Sequence, residues 1–262
     1  MNQREMEILG RLLQRANPPP ILYRYRKPTE HTLEELRDHN IYAAMPDDLN
    51  DPFEHRGPIS IDLPAFRKRF VEEFAPSRGI SREQAEQEFD ASTHLFGPKL
   101  FAGVDQLRRD SGVICLTAVP NSIRMWSYYA DAHKGICIGY DTTVFPFMMA
   151  MQVTYKNPER PLNVAAVLRD DPLQLADHIS LRKAAEWEFE REYRIPLGQI
   201  GDNPRLLPYY PSALAEIRFG ARVDDAFRSQ VMKAISTLPT RPRLIQLQCD
   251  FDRFVLTEEA IG

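Results

Sequence analysis

Apolar side chains at Met6, Ile8, Leu9, Leu12 and Leu13 recur at helical spacing, which predicts a helix over residues 5–15. Asn17 and three prolines stop it. From residue 21 the pattern changes to alternation around two tyrosines, the period of a strand. Thr32 and Glu35 form a capping box for a short helix over 33–39. A second short strand over 41–44 leads into a turn-rich loop. Residues 63–109 are helical and rich in charge. Ser81 with Gln84 marks one helix start there, and Gly79 and the Gly97-Pro98 pair divide the section. Further strands are predicted over 113–118, 135–141 and 152–155, with a helix over 122–132. A long helix from 171 to about 186 should run directly into an alternating strand that begins near Glu188. Strands over 216–219 and 244–250 flank a helix over 224–237, and a last strand covers 253–257.

Helices and strands do not alternate regularly enough for a doubly wound parallel sheet. The expectation is an α+β fold with a mixed or antiparallel sheet, a split sheet included. An N-terminal helical segment over 1–20 precedes one α+β domain over 21–262, which carries a helical insertion at about 63–109. At 262 residues the chain can bury a full core without staples. The 43% hydrophobic and 27% charged content is that of a soluble globular protein. The net charge of -4 weighs against a broad nonspecific nucleic-acid surface. Cys115, Cys137 and Cys249 have no metal-ligand spacing, and their odd number favours a reducing cytoplasm. No signal peptide and no apolar run of about 18 residues is present, so no membrane partner is expected. Motifs for dinucleotide-binding turns, P-loops, serine nucleophile elbows and zinc are missing, and no metal is expected.

Four stretches mix aromatic and charged side chains in a way that suggests a polar ligand. In residues 22–26, Leu22, Arg24 and Arg26 share one strand face while Tyr23 and Tyr25 take the other. Two arginines on one face suit a phosphate or carboxylate, or a structural ion pair. In residues 50–54, Asn50 or Asp51 can close an Asx-turn before Pro52, with Phe53 anchoring the loop in the core. Asn50 or Glu54 is then a minor ligand candidate. In residues 125–141, Trp126 and His133 bracket a helix, turn and strand. They suit stacking on a nucleobase or nicotinamide, or alternatively a core ring and a helix cap. In residues 187–195, a strand starting near Glu188 would place Glu188, Glu190, Glu192 and Arg194 on one face. Such crowded carboxylates need cations, and Arg194, Lys183, Arg24 and Arg26 are the candidates. The face reads as a balanced ion network or as a catalytic carboxylate.

Taken in order, these stretches resemble the bacterial family known as domain of unknown function 2971. The resemblance rests on Tyr23 to Arg26, Asn50 to Phe53, Met125, Trp126, Tyr129, Ala130, His133, Gly135, Lys183, Trp187, Glu190, Glu192 and Arg194. It covers residues 20 to 260 and implies no established activity. A second resemblance, to ADP-ribosyltransferases, implies NAD as substrate in a sheet cleft. Arg24 would hold phosphates or ribose, Tyr129 or Tyr140 would stack on nicotinamide, and Glu190 or Glu192 would stabilise the oxocarbenium-like state. The Ser-Thr-Ser stretch and first-motif histidine of those enzymes are missing.

The leading functional expectation is an NAD-binding ADP-ribosyltransferase-like enzyme, a bacterial toxin or phage-defence component. Catalytic Glu190 and Glu192 would act with ligand-binding Tyr23, Arg24, Arg26, Asn50, Trp126, Tyr129, His133, Tyr140, Lys183 and Arg194, on a protein or nucleic-acid target. The alternative is a noncatalytic sensor of a nucleotide or other anionic ligand. A nucleic-acid-processing enzyme is the third reading.

Overall fold

The computed structural model describes residue 10 and residues 16–164, 172–197 and 205–261. Apart from Gly10, which is helical, the helix expected over 5–15 lies outside the described residues. The chain divides into two compact units, one made of Met1–Ala44, Gly112–Tyr155 and Ala185–Gly262, the other of Met45–Ser111 and Lys156–Ala184.

The fold is α+β. In the first unit the strands, numbered along the whole chain, are β1 (Ile21–Arg26), β2 (Asn40–Tyr42), β4 (Gly112–Thr117), β5 (Ile136–Asp141), β6 (Met151–Gln152), β7 (Thr154–Tyr155), β10 (Glu192–Leu197), β11 (Leu206–Pro208), β12 (Leu214–Phe219), β13 (Arg243–Asp250) and β14 (Val255–Ala260). Eight of them form one sheet in the order β14-β13-β12-β5-β1-β4-β10-β6. The β12–β13 pair is parallel, and the pairs of β1, β4, β5 and β10 are antiparallel. β1 therefore sits inside the sheet, with Tyr23 opposite Thr117 on one side and Gly139 on the other.

Alternation along these strands separates two chemistries. The first face carries Leu22, Arg24, Arg26, Leu116, Ile138, Tyr140, Ile195 and Ile217. Helices Glu30–Asp38 and Asp225–Ala234 cover it through Leu33, Leu36, Phe227 and Val231. The second face carries Tyr23, Tyr25, Cys137, Glu192, Arg194, Glu216 and Arg218. Met125 and Trp126 of helix Ile123–Tyr129 cover its aromatic part. Apolar burial on both faces of the central strands is the main stabilising contribution.

The second unit holds β3 (Ile59–Ser60), β8 (Leu162–Asn163) and β9 (Arg182–Lys183), with β3 and β8 paired in parallel. Its helices include Leu63–Arg69, Arg82–Asp110 and Pro172–Ser180. The insertion expected at about 63–109 falls within it. Ser81 and Gln84 make a capping box at the helix start read from the sequence. The Gly97-Pro98 break does not occur, because helix Arg82–Asp110 runs through Pro98. Proline removes one donor from a long helix, and the remaining turns hold it together. Among the described residues no helix is long and apolar enough to cross a membrane.

The region before β10 also differs from expectation. Helix Pro172–Ser180 ends early, β9 follows, and Ala185–Glu190 forms a 3-10 turn. The strand starts only at Glu192. Arg191 has φ of 43°, a left-handed value that breaks the alternation between Glu190 and Glu192. Glu188, Glu190, Glu192 and Arg194 therefore do not form one strand face.

Candidate functional site

The second sheet face of the first unit concentrates charge where strands usually bury apolar groups. Glu192 and Arg194 are neighbours on that face and meet fork to fork. Arg194 donates from Nε to Glu192 Oε1 and from Nη2 to Oε2, each at 2.9 Å. Arg194 is fully buried and Glu192 is 4% exposed. The Glu192 backbone N–H donates to the Tyr155 hydroxyl at 2.6 Å. Across the next strand, Thr117 donates to the Glu190 carbonyl oxygen and accepts from the Val119 N–H at 3.0 Å. This fastens the 3-10 turn to β4.

Glu190, 3% exposed, is presented differently. The reversal at Arg191 turns its side chain toward helix Ile123–Tyr129, where the Tyr129 hydroxyl donates to Oε1 at 2.5 Å. Beside it the Arg124 guanidinium lies 4.3 Å from the Phe189 ring centroid, within cation–π range. Phe189 also meets Tyr128 edge-on at 6.2 Å and Trp187 at 5.9 Å. Tyr128 is 59% exposed. Two carboxylates, a tyrosine and an open aromatic platform with a cation thus gather around one turn. Arg124, Phe189, Thr117 and Tyr155 were not singled out in the sequence. Arg124 and Phe189 were legible only as a helix residue and an alternating aromatic, and the left-handed Arg191 that brings them together leaves no sequence signal.

Trp126 and His133 come together. The rings stack at 6.2 Å and 15°, and Trp126 donates from Nε1 to the Pro120 carbonyl at 3.0 Å. His133 Nδ1 is buried without a hydrogen bond, and Nε2 lies 3.4 Å from Ser127 Oγ. Burial, with the Arg222 charge, holds its pKa below 6.5. The turn is made by Asp131, Ala132 and His133, all at positive φ. Gly135 serves close approach instead, since a Cβ there would lie 2.0 Å from the Arg26 carbonyl oxygen. Trp126 is thus a core ring and His133 its cover.

Further along the face, Glu216 accepts from Arg218 Nε at 2.6 Å and from Arg243 Nε at 3.1 Å. Arg218 also donates to Glu258 at 2.7 Å and Asn121 at 2.9 Å. Gly139 makes room, because a Cβ would come 2.6 Å from Glu216 Cγ. Tyr23 lies beneath Arg218, 5.3 Å from it. Burial and Glu216 push the Tyr23 pKa up to about 12.

Arg24, Arg26 and Tyr140 lie on the opposite, first face. The expected pairing of Arg24 or Arg26 with Glu190 or Glu192 does not form. Both arginines turn to Glu35, at 3.8 Å and 3.2 Å. Tyr140 donates to Glu35 Oε1 at 2.7 Å, and Tyr209 donates to the Glu35 carbonyl at 2.7 Å. The reason is alternation: Glu192 aligns with Thr117, which aligns with Tyr23 rather than Arg24. The structure therefore separates Arg24, Arg26 and Tyr140 from Glu190, Glu192, Arg194, Tyr129 and Tyr23, and Glu35 was missed as their buried anion.

Asn50 and Lys183 belong to the second unit. Lys183 is buried with Glu54 at 3.2 Å, and His55 approaches the same carboxylate at 3.9 Å. The Asx-turn is closed by Asp51, which accepts from the Phe53 N–H at 2.9 Å. Phe53 does not anchor the core. It is 73% exposed, because the Asx-turn and the buried Asp51 and Glu54 already fix the loop. Among the described residues no group of three or more histidine, cysteine or carboxylate side chains could hold a metal ion.

Residues 125–195 match the model of a family described as "Protein of unknown function (DUF2971)". That stretch contains the Trp126–His133 unit, Lys183 and the Glu190–Arg194 turn and strand, and the match supports the family resemblance there. No curated protein and no solved structure matches the chain significantly.

Proposed function

We propose that the chain is an ADP-ribosyltransferase-like enzyme that uses NAD, with Glu190 as the reacting carboxylate. One observation carries this reading: Glu190 is buried, oriented by the Tyr129 phenol, and set beside a platform of exposed Tyr128 and Arg124 with half-buried Phe189. Glu192 gives both carboxylate oxygens to Arg194, so it serves as the rigid base of the strand. Arg191 between them is held in a left-handed conformation, the kind of local strain that gathers at working sites.

In this chemistry the C1′–nitrogen bond of NAD breaks and nicotinamide leaves with the bonding electrons. The ribose develops positive charge, which a fixed carboxylate stabilises. An acceptor nucleophile then forms the new bond at C1′, and its proton passes to the carboxylate. Tyr128 and Phe189 offer faces for a ring, and Arg124 offers a charge for the pyrophosphate. The role first given to Arg24 thus passes to Arg124.

Burial of both glutamates also favours a second reading, in which the platform binds a nucleotide without turning it over. Incubating the full chain with NAD labelled in the adenylate half separates them. The enzyme reading expects nicotinamide release that Glu190→Gln abolishes. Saturable NAD binding without release, unchanged by that substitution, would establish the sensor instead.

A further inference from the structure

The second unit contains a cleft of about 270 Å³ that the carboxylate chemistry does not use. Phe53, Pro58 and Pro158 give it flat apolar walls, and Arg56, Lys156 and Arg182 supply the cations. The loop after the Asx-turn forms one side. Gly57 lets it press onto His178, whose ring would lie 2.7 Å from a Cβ at that position. His178 Nε2 donates to the Pro58 carbonyl at 2.9 Å, which fixes the imidazole as part of the floor. Burial and the nearby Arg182 charge lower its pKa.

The charges around this cleft do not cancel within it. Asp51 lines it, but its carboxylate closes the Asx-turn. Lys183 lines it too and is matched by buried Glu54. Arg56 pairs with Asp47 at 3.1 Å and Lys156 with Glu159 at 2.9 Å. All four of those side chains are exposed, and pairs of that kind contribute little and re-form easily. Arg182 has no carboxylate within ion-pair reach among the described residues. The volume falls just below the usual range for small-ligand pockets, about 300–1,000 Å³, so the occupant is small.

We infer that this cleft binds a nucleoside monophosphate, its ring between Phe53 and the prolines and its phosphate among Arg56, Lys156 and Arg182. Flat apolar walls suit the ring, and guanidinium groups suit phosphate oxygens bidentately. A dinucleotide is too large for it. The inference does not depend on Glu190 having any catalytic role.

The test is calorimetric titration of the full chain with adenosine, guanosine and uridine monophosphates, with adenosine and inorganic phosphate as half-ligands. At least one monophosphate should bind saturably and more tightly than either half-ligand. Binding should weaken about tenfold or more in the Arg56→Gln, Arg182→Gln double variant. Phe53→Ala, at an exposed position that the fold does not need, should weaken it as well and covers the case of a double variant that fails to fold. Glu190→Gln should leave binding unchanged. Absence of saturable binding by all three monophosphates would overturn the inference. So would binding that survives the cleft substitutions, or binding that is lost in Glu190→Gln, which would place the nucleotide at the carboxylate turn.

Discussion

Glu192→Gln and Glu190→Gln make the same chemical change two residues apart, and opposite outcomes are expected. At Glu192 the substitution removes the counter-charge from the fork that holds a guanidinium with no solvent exposure. Breaking a buried pair from one side costs about 3–5 kcal/mol. For a chain of this size that corresponds to a fall in melting temperature of roughly 10 °C. At Glu190 the glutamine amide oxygen can still accept the Tyr129 hydroxyl, so that contact should change by no more than about 1 kcal/mol. Activity should separate in the other direction. If the Glu190 charge stabilises the ribosyl cation, nicotinamide release falls by about a hundredfold or more in Glu190→Gln, while folded Glu192→Gln retains much of it. A third variant, Glu192→Leu with Arg194→Met, removes both charges and should recover most of the lost stability, since an apolar pair avoids desolvation altogether. Thermal melts by circular dichroism, read beside nicotinamide release, decide the matter. The reasoning is refuted if Glu192→Gln melts within about 1 °C of the parent, or if Glu190→Gln melts as early as Glu192→Gln and loses activity only in proportion to its unfolded fraction.

Gly135→Ala forces a Cβ to within 2.0 Å of the Arg26 carbonyl oxygen, and overpacking against backbone should destabilise by about 1–3 kcal/mol, visible as a lower urea midpoint. Glu35→Gln should cost about 3 kcal/mol, since it leaves Arg24 and Arg26 facing each other around a neutral side chain; an unchanged midpoint would show that solvent already screens them. His39, His133 and His178 all have pKa values below the ordinary 6.5, chiefly through burial. The folded state therefore binds fewer protons than the unfolded chain, so stability is fully present above about 6.5 and is lost as pH falls through the folded-state values. Melts between about pH 7.5 and 5.5 should show that decline, and a flat profile would contradict it.

Much of the fold was legible because its signals are local. The alternation of residues 21–26 and the apolar run at 136–141 predict strands wherever they pair, and Ser81 with Gln84 caps a helix by its own geometry. The candidate site was legible in its parts but not in its assembly. Tyr129, Glu190 and Glu192 were identified by type, yet alternation was extended back through Glu188. The left-handed Arg191 ends that period, and a non-glycine residue with positive φ is chosen by surrounding contacts rather than by its own preference. Arg24 and Arg26 were assigned to the wrong anion for a related reason. Nothing local tells which face of β1 meets Glu35, because that depends on how a helix some ten residues away docks. Phe53 was read as core because it is aromatic, while the loop is held by two buried carboxylates instead.

The position of β1 also has a consequence for how the protein is made. This early strand lies inside the sheet, and its bonding partners β4 and β5 begin at Gly112 and Ile136. At translation rates of about 5–20 residues per second, β1 waits roughly 5–20 s after its own synthesis before either neighbour exists. During that wait an uncharged apolar strand would invite pairing with other nascent chains. Arg24 and Arg26, with Lys27 just beyond, keep this segment cationic and solvated until β4 and β5 arrive, and the arginine charge is then covered by Glu35 from the helix that follows. The alternation that divides chemistry between two faces in the folded protein is thus also a gatekeeper for the ribosome-bound chain.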